Sequence, residues 1–199
     1  DTPQVATITG VDDDIIDGTI NSTITVTIVD AISDNQFDGV ADQTVSVSTT
    51  DDDVAGFTVT ETEGSTGVDE SGTTDIITVV LNAQPASDVV ITVTSSDTGE
   101  ATVTSPLTFT SANWDTPQNV TVTGADDELV DGTVNSTVTI AIDDANSDDD
   151  FDAAADQAVS VSTTDDDVAG FTITETDGST TVTEAVSYTH LRAHETCPY

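Results

Sequence analysis

The chain has 199 residues, 39 of them acidic and only one, Arg192, basic, which gives a formal net charge of −38. Such a field repels nucleic acid and anionic membrane surfaces and attracts cations, so no nucleic-acid partner is expected. Aromatic residues make up only 4 % of the chain and no apolar run approaches twenty residues, so a core must come from Val, Ile and Leu, and no direct membrane insertion is expected.

In chain order, the first element that organises the sequence is a repeat. The run Thr49-Thr50-Asp51-Asp52-Asp53-Val54-Ala55-Gly56-Phe57 returns as Thr163-Thr164-Asp165-Asp166-Asp167-Val168-Ala169-Gly170-Phe171. At an offset of 114 residues, 46 of the 66 positions from Asp1 to Thr66 are identical, which marks a tandem array of one module. If the triple Asp closes each module, residues 1–53 are the C-terminal half of one repeat, 54–167 a complete repeat, and 168–185 the start of a third. From Val186 the register breaks. Both Tyr, both His, Arg192 and Cys197 fall in the last twelve residues, and Val186 to Thr196 resembles a translated sequencing adapter. Residues 186–199 are therefore expected to be an artefact outside the fold. Without them the chain has no Cys, His, Lys, Arg or Tyr, so disulfides, thiolate metal sites and most catalytic constellations are excluded. Carboxylate pairs as in glycoside hydrolases remain, yet these acids recur in each copy with almost no aromatic groove beside them, so no enzyme is expected.

Within the complete repeat, Phe57-Thr58-Val59-Thr60-Glu61 alternates with the period of a half-buried strand. A polar loop is expected from Glu63 to Gly72. Asp75 to Leu81 and Asp88 to Thr94 read as strands, separated by the turn Asn82-Ala83-Gln84-Pro85-Ala86. Ala101-Thr102-Val103 and Leu107-Thr108-Phe109 read as one edge strand broken at Pro106, and three more strands follow at Asn119 to Thr123, Ser136 to Ile142 and Ala158 to Ser162. Seven short Thr- and Val-rich strands with frequent turn signals and no helical periodicity predict a seven-stranded antiparallel, immunoglobulin-like β-sandwich repeated in tandem. Phe57, Phe109 and Phe151 would anchor its core. Trp114 either packs the sandwich edge or stacks a sugar.

Acidic residues concentrate where those strands end. Glu70 lies between the first two strands, Asp97 follows the third, Asp126, Asp127 and Asp131 follow Gly124, and Asp165, Asp166 and Asp167 follow the last. In a Greek-key sandwich these turns can gather at one pole. Two carboxylates about 4 Å apart repel by about 4 kcal/mol at an effective dielectric near 20, so such a gathering calls for a divalent cation. A donor set of oxygen alone, on flexible loops, selects calcium over zinc, copper or magnesium. Side chains alternate along an extended segment, so Asp165 and Asp167 can serve one site while Asp166 faces another. The earlier copy carries the corresponding set Asp12, Asp13, Asp17, Asp51, Asp52 and Asp53, while its Glu and first Asp would lie upstream.

Taken together, Glu70-Ser71-Gly72, the turn Asp97-Thr98-Gly99-Glu100-Ala101, the loop Asp126-Asp127-Glu128-Leu129-Val130-Asp131 and the exit Asp165-Asp166-Asp167-x-Ala-Gly-Phe resemble the Calx-beta domains of sodium/calcium exchangers and of large bacterial surface proteins. The resemblance covers nearly the whole module. It implies several calcium ions at one pole, with the Leu129 carbonyl as a further ligand. The chain departs from the exchanger pattern in carrying Asp131 in place of a Glu, and its acidic loop from Asp143 to Asp156 has no role carried over. The function expected is thus a calcium-rigidified, non-catalytic module of a large extracellular, bacterial surface or secreted adhesin-like protein, with calcium ions and neighbouring repeats as partners. The alternatives are a module that recognises a glycan or cell-surface protein, for which the loop Asp143 to Asp156 and Trp114 are the candidate contacts, and an accessory repeat of a secreted hydrolase.

Overall fold

A computed structural model describes residues 2–175 and 178. The chain divides into two units, Asp1–Asp167 and Val168–Tyr199, and every strand among the described residues lies in the first. The expected start of a third repeat is described only through Glu175 and at Gly178, and the expected artefact at 186–199 lies outside the described residues.

Thr, Val and Ile at alternate positions make eleven strands. β1 (Ile20–Val26) and β2 (Gln43–Thr49) form a two-stranded hairpin. The rest belong to 54–167: β3 (Phe57–Glu61), β4 (Thr66–Asp69), β5 (Thr74–Leu81), β6 (Val89–Ser95), β7 (Ala101–Val103), β8 (Leu107–Phe109), β9 (Gln118–Gly124), β10 (Val134–Ile142) and β11 (Gln157–Thr164). They form a five-stranded sheet, β4-β11-β10-β6-β8, and a four-stranded sheet, β3-β5-β9-β7. One residue in two points inward. Ile77, Val79, Val120 and Val122 of the smaller sheet and Ile91, Val93, Val138, Ile140 and Val161 of the larger one join Phe57, Phe109 and Phe151 in a single buried cluster. Trp114 packs against this cluster and its carbonyl accepts the Leu81 N–H at 3.2 Å, so the indole belongs to the core edge.

Nine strands stand where seven are expected, for two reasons. The stretch expected as a polar loop from Glu63 to Gly72 contains β4, which pairs in parallel with β11 (Val161↔Thr66 through Thr164↔Asp69), so the sheet is not wholly antiparallel. The expected broken edge strand is in fact two edges. β7 pairs with β9 in one sheet and β8 with β6 in the other, with the chain crossing between sheets at Thr104-Ser105-Pro106, where Pro106 has no N–H for a ladder.

The hairpin β1–β2 has the register Ile20↔Thr49 through Val26↔Gln43, which is that of β10–β11, Val134↔Thr163 through Ile140↔Gln157, displaced by the same 114 residues. Among the described residues no second sheet covers its apolar face. Phe37 is 53 % exposed where Phe151 is 0 %, and Ile24 and Val45 are exposed where Val138 and Val159 are buried. A cavity of about 340 Å³ opens on this face, lined by Ile8, Ile24 and Val47 among others, whose counterparts Val122, Val138 and Val161 sit in the core of the complete copy. It is an unfilled half-core rather than a ligand pocket.

The ladders also fix which loops share an end. Thr164↔Asp69, Val134↔Thr163, Thr74↔Thr123 and Ala101↔Gly124 put the end of β4, the end of β11, the start of β10, the end of β9 and the start of β7 at one pole. Ile142↔Ile91 and Phe57↔Leu81 put the loop after β10 and the turn after β5 at the other. At that second pole the acidic loop of the earlier copy docks. The Gln84 N–H donates to the Asp14 carbonyl at 2.7 Å, Ile15 bridges Gln84, and Ile16 packs on the core of 54–167.

Candidate metal centre

Glu70 is the residue that β4 delivers. Its N–H donates to the Thr164 carbonyl at 3.1 Å, which extends the parallel ladder by one step past Asp69. Gly72, at φ 88°, then reverses the chain in a conformation that L residues rarely adopt, and the Gly72 N–H closes the turn on the Asp69 carbonyl at 3.2 Å. The start of this turn is seated on Gly124, where a Cβ would stand 1.9 Å from the Asp69 carbonyl oxygen. Glu70 is thereby held 1 % exposed, and neither of its carboxylate oxygens has a hydrogen-bond partner.

Facing it are the acids that follow β11. Glu70, Asp165 and Asp167 each present an oxygen such that the three lie within 4.8 Å of one another. Asp165 is the fixed member. Its Oδ2 accepts the Gly132 N–H at 2.8 Å and its Oδ1 accepts the Asp167 N–H at 2.7 Å, and these backbone donors hold its pKa below the ordinary Asp range. Asp167 is half-buried with its Oδ2 unpartnered, and its pKa is raised by burial first and then by Asp165, Asp166, Asp126 and Asp127. The pKa of Glu70 is likewise raised, by burial first and then by the charges of Asp165, Asp127 and Asp131; the Asp166 N–H lies near enough to oppose this rise but makes no hydrogen bond of normal geometry to the carboxylate.

The remaining residues of the expected set fall around this trio. Asp127 and Asp131 are among the charges that raise Glu70, Asp126 is among those that raise Asp167, and Asp97 is among those that raise Glu100. Asp127 shapes the loop that carries these acids, its Oδ1 accepting the Leu129 N–H at 2.6 Å. Asp97 shapes its own turn by accepting the Gly99 N–H at 3.0 Å. Asp166 is outside the converging trio. Glu100 is the member that the sequence does not single out. Alternation along β7 sends it outward, but it sits in the turn before the strand and is 6 % exposed, with Oε2 unpartnered.

The earlier copy repeats the scaffold of the site. Asp51 Oδ2 accepts the Asp17 and Gly18 N–H groups at 3.0 and 2.8 Å, and its Oδ1 accepts the Asp53 N–H at 2.9 Å, as Asp165 does with Gly132 and Asp167. Burial and then Asp51, Asp14, Asp52 and Asp12 raise the pKa of Asp53, so these acids, with Asp13 accepting the Ile15 N–H, form a group of their own.

At the opposite pole a buried carboxylate is treated differently. Asp148 is 6 % exposed, but its oxygens accept the backbone N–H groups of Ser87 at 2.7 Å and Asp150 at 3.2 Å. Burial works against its charge, yet these donors hold its pKa low. With Phe151 fully buried and the Ser147 hydroxyl bonded to Val90, the loop from Asp143 to Asp156 is used up in closing the core. At the pole around Glu70 there is no basic side chain among the described residues, and the Oε1 and Oε2 of Glu70, the Oε2 of Glu100 and the Oδ2 of Asp167 are buried without a hydrogen-bond partner. Buried anions without partners are costly, and hard oxygen donors in this number fit a divalent cation that prefers oxygen.

No protein-family model matches the chain, and no curated protein matches it in sequence. Solved structures similar to it include the E. coli chaperone DraB, with TM-score 0.41 and 7 % identity over 59 % of this chain and 59 % of that one. The apo form of the Calx CBD1 domain has TM-score 0.40 and 13 % identity over 56 % of this chain and 98 % of that one. Domains 1–6 of the surface layer protein SbsC have TM-score 0.43 and 18 % identity over 73 % of this chain and 16 % of that one. The chain thus spans only part of DraB and SbsC, and likeness at these TM-scores, all below 0.5, carries no argument about family or function.

Proposed function

We propose that residues 54–167 form a calcium-binding, non-catalytic β-sandwich module of the Calx-beta type, one of a tandem series in an extracellular bacterial surface or secreted adhesin-like protein. The observation that carries this reading is the convergence of Glu70, Asp165 and Asp167, with three of their oxygens buried and unpartnered. Calcium is the cation of choice because the donors are carboxylates and carbonyls on loops, and because calcium accepts six to eight such ligands in flexible geometry. Asp127 and Asp131 lie near enough to share in the shell. The role is mechanical. An ion that binds only the folded module draws together three separate stretches of chain, those of Glu70, of 126–131 and of 165–167, and so resists its unfolding.

Calorimetric titration of calcium into the full chain tests this. Heat with a Kd of about 10⁻⁴ M or tighter is expected, and Asp165→Asn, Asp166→Asn and Asp167→Asn combined should remove most of it. Undiminished heat in that variant would defeat the assignment.

A further inference from the structure

We propose that the apolar pair in the loop 126–131, Leu129 and Val130, is a docking surface, and that its partner is the turn equivalent to 82–86 in the repeat that follows. This rests on the tandem-repeat reading and not on calcium. The chain holds one such contact already made. The earlier copy's loop 12–17 carries Ile15 and Ile16, which stand 114 residues before Leu129 and Val130. There the Asp14 carbonyl accepts the Gln84 N–H at 2.7 Å, Ile15 bridges Gln84 in parallel, and Ile16 packs on the core of 54–167. The receiving turn is itself held firmly. Ala83 is fully buried, the Asn82 N–H donates to the Gly56 carbonyl at 2.9 Å, and the Gln84 Nε2 donates to the Ser111 carbonyl at 2.8 Å.

The loop 126–131 repeats the shape of the seated one. The Leu129 N–H donates to Asp127 Oδ1 as the Ile15 N–H does to Asp13 Oδ1, at 2.6 and 3.0 Å. Gly132 at φ 79° donates to Asp165 as Gly18 at φ 67° does to Asp51, both at 2.8 Å. The docked conformation is therefore built into the loop, and little freedom is lost when a partner arrives. What differs is the cover: Leu129 and Val130 are 63 % and 58 % exposed, whereas Ile16 is half-buried against the next module. Within a run of acids the pair changes from Ile-Ile to Leu-Val and stays apolar. The linker is also repeated letter for letter, 51–57 as 165–171, so a following repeat is delivered over the same length of chain. Two acidic modules repel, and with no basic side chain among the described residues to bridge them, an apolar contact and a backbone hydrogen bond are the means of joining them.

Amide hydrogen exchange in chelator, at about 0.15 M salt, reads the contact at the Gln84 N–H. In the full chain, Ile15→Ser with Ile16→Ser should speed exchange at Gln84 about tenfold or more, with a smaller change at Ile77 and Val79 in β5. A second chain carries another copy of 54–167 directly after Asp167. In it the added copy's counterpart of Gln84 should be protected as Gln84 is, and Leu129→Ser with Val130→Ser should speed its exchange about tenfold or more while leaving Gln84 as in wild type. An added copy whose β5 amides are protected but whose Gln84 counterpart exchanges freely, or ignores the change at Leu129 and Val130, would overturn the inference and leave the repeat reading standing. Exchange at Gln84 indifferent to the change at Ile15 and Ile16 would overturn it as well. An added copy unprotected throughout would overturn both.

Discussion

Gly124 shows how one missing side chain places a ligand. The Asp69 carbonyl occupies the space that a Cβ at Gly124 would need, so Gly124→Ala forces the turn carrying Glu70 to move. A cost of about 3 kcal/mol or more in urea unfolding is expected. Gly10→Ala at the equivalent position of the earlier copy should be near neutral, because there the nearest atom, Thr49 Cγ2, is 3.7 Å away. The titration of individual carboxylates gives a second residue-level expectation. Burial, with neighbouring charges second, raises Glu70, Glu100 and Asp167 above their ordinary values, so without metal the folded state binds protons more tightly than the unfolded one. Their contribution to stability is present at low pH and is lost as pH rises from the ordinary carboxylate range, about 4, through the raised values. Asp165 and Asp148 have the opposite sign: their pKa values are held low, so their contribution is lost as pH falls below about 4. In chelator the melting temperature should therefore rise as pH is lowered from neutral toward the ordinary carboxylate range and turn down below about 4. With saturating calcium, which requires the ionised carboxylates, the rise on the acid side should vanish.

The two triple-Asp segments make the same hydrogen bonds at the level of the element but sit in different company. Only the segment at 165–167 faces a buried glutamate among the described residues. Changing Asp51, Asp52 and Asp53 together to Asn is thus expected to leave the tightest calcium step within about twofold of wild type, while the same change at 165–167 abolishes it; calorimetry of both variants checks the contrast. The loop from Asp143 to Asp156 is expected to be structural. Asp148→Ala leaves the Ser87 and Asp150 N–H groups without their acceptor and should cost about 2 to 3 kcal/mol in urea unfolding, with the calcium titration unchanged. How much of this was legible in the sequence follows from the signal each element carries. β5, β6, β9, β10 and β11 announce themselves through long period-two alternation. β4 does not, because Thr66-Gly67-Val68-Asp69 is four residues with a glycine inside a polar run, and only its pairing with β11, some ninety residues on, makes it a strand. β7 and β8 are each three residues, too short to show which sheet they join. Among the acids, Glu70, Asp165 and Asp167 could be picked out from position at strand ends. Glu100 could not, because its burial depends on a turn packed against β9 and β11.

At the scale of the whole molecule, 54–167 has a complete core while 1–53 exposes the face that its counterpart buries. The loop 12–17 nevertheless seats on the Gln84 turn, so the acidic end of one copy abuts the opposite pole of the next. With aromatic side chains so scarce, a modest increment matters to this fold. At ten times its Kd, a calcium ion that binds only the folded state adds about 1.4 kcal/mol, and several ions add more. The central claim is that an ion satisfies the buried acids of the pole, and the most direct measurement is the melting temperature of wild type and Glu70→Gln in chelator and in millimolar calcium. Wild type should gain at least several degrees from calcium. Glu70→Gln should start higher than wild type in chelator and gain much less. A wild type indifferent to calcium, or a Glu70→Gln variant that gains as much as wild type, would contradict the account.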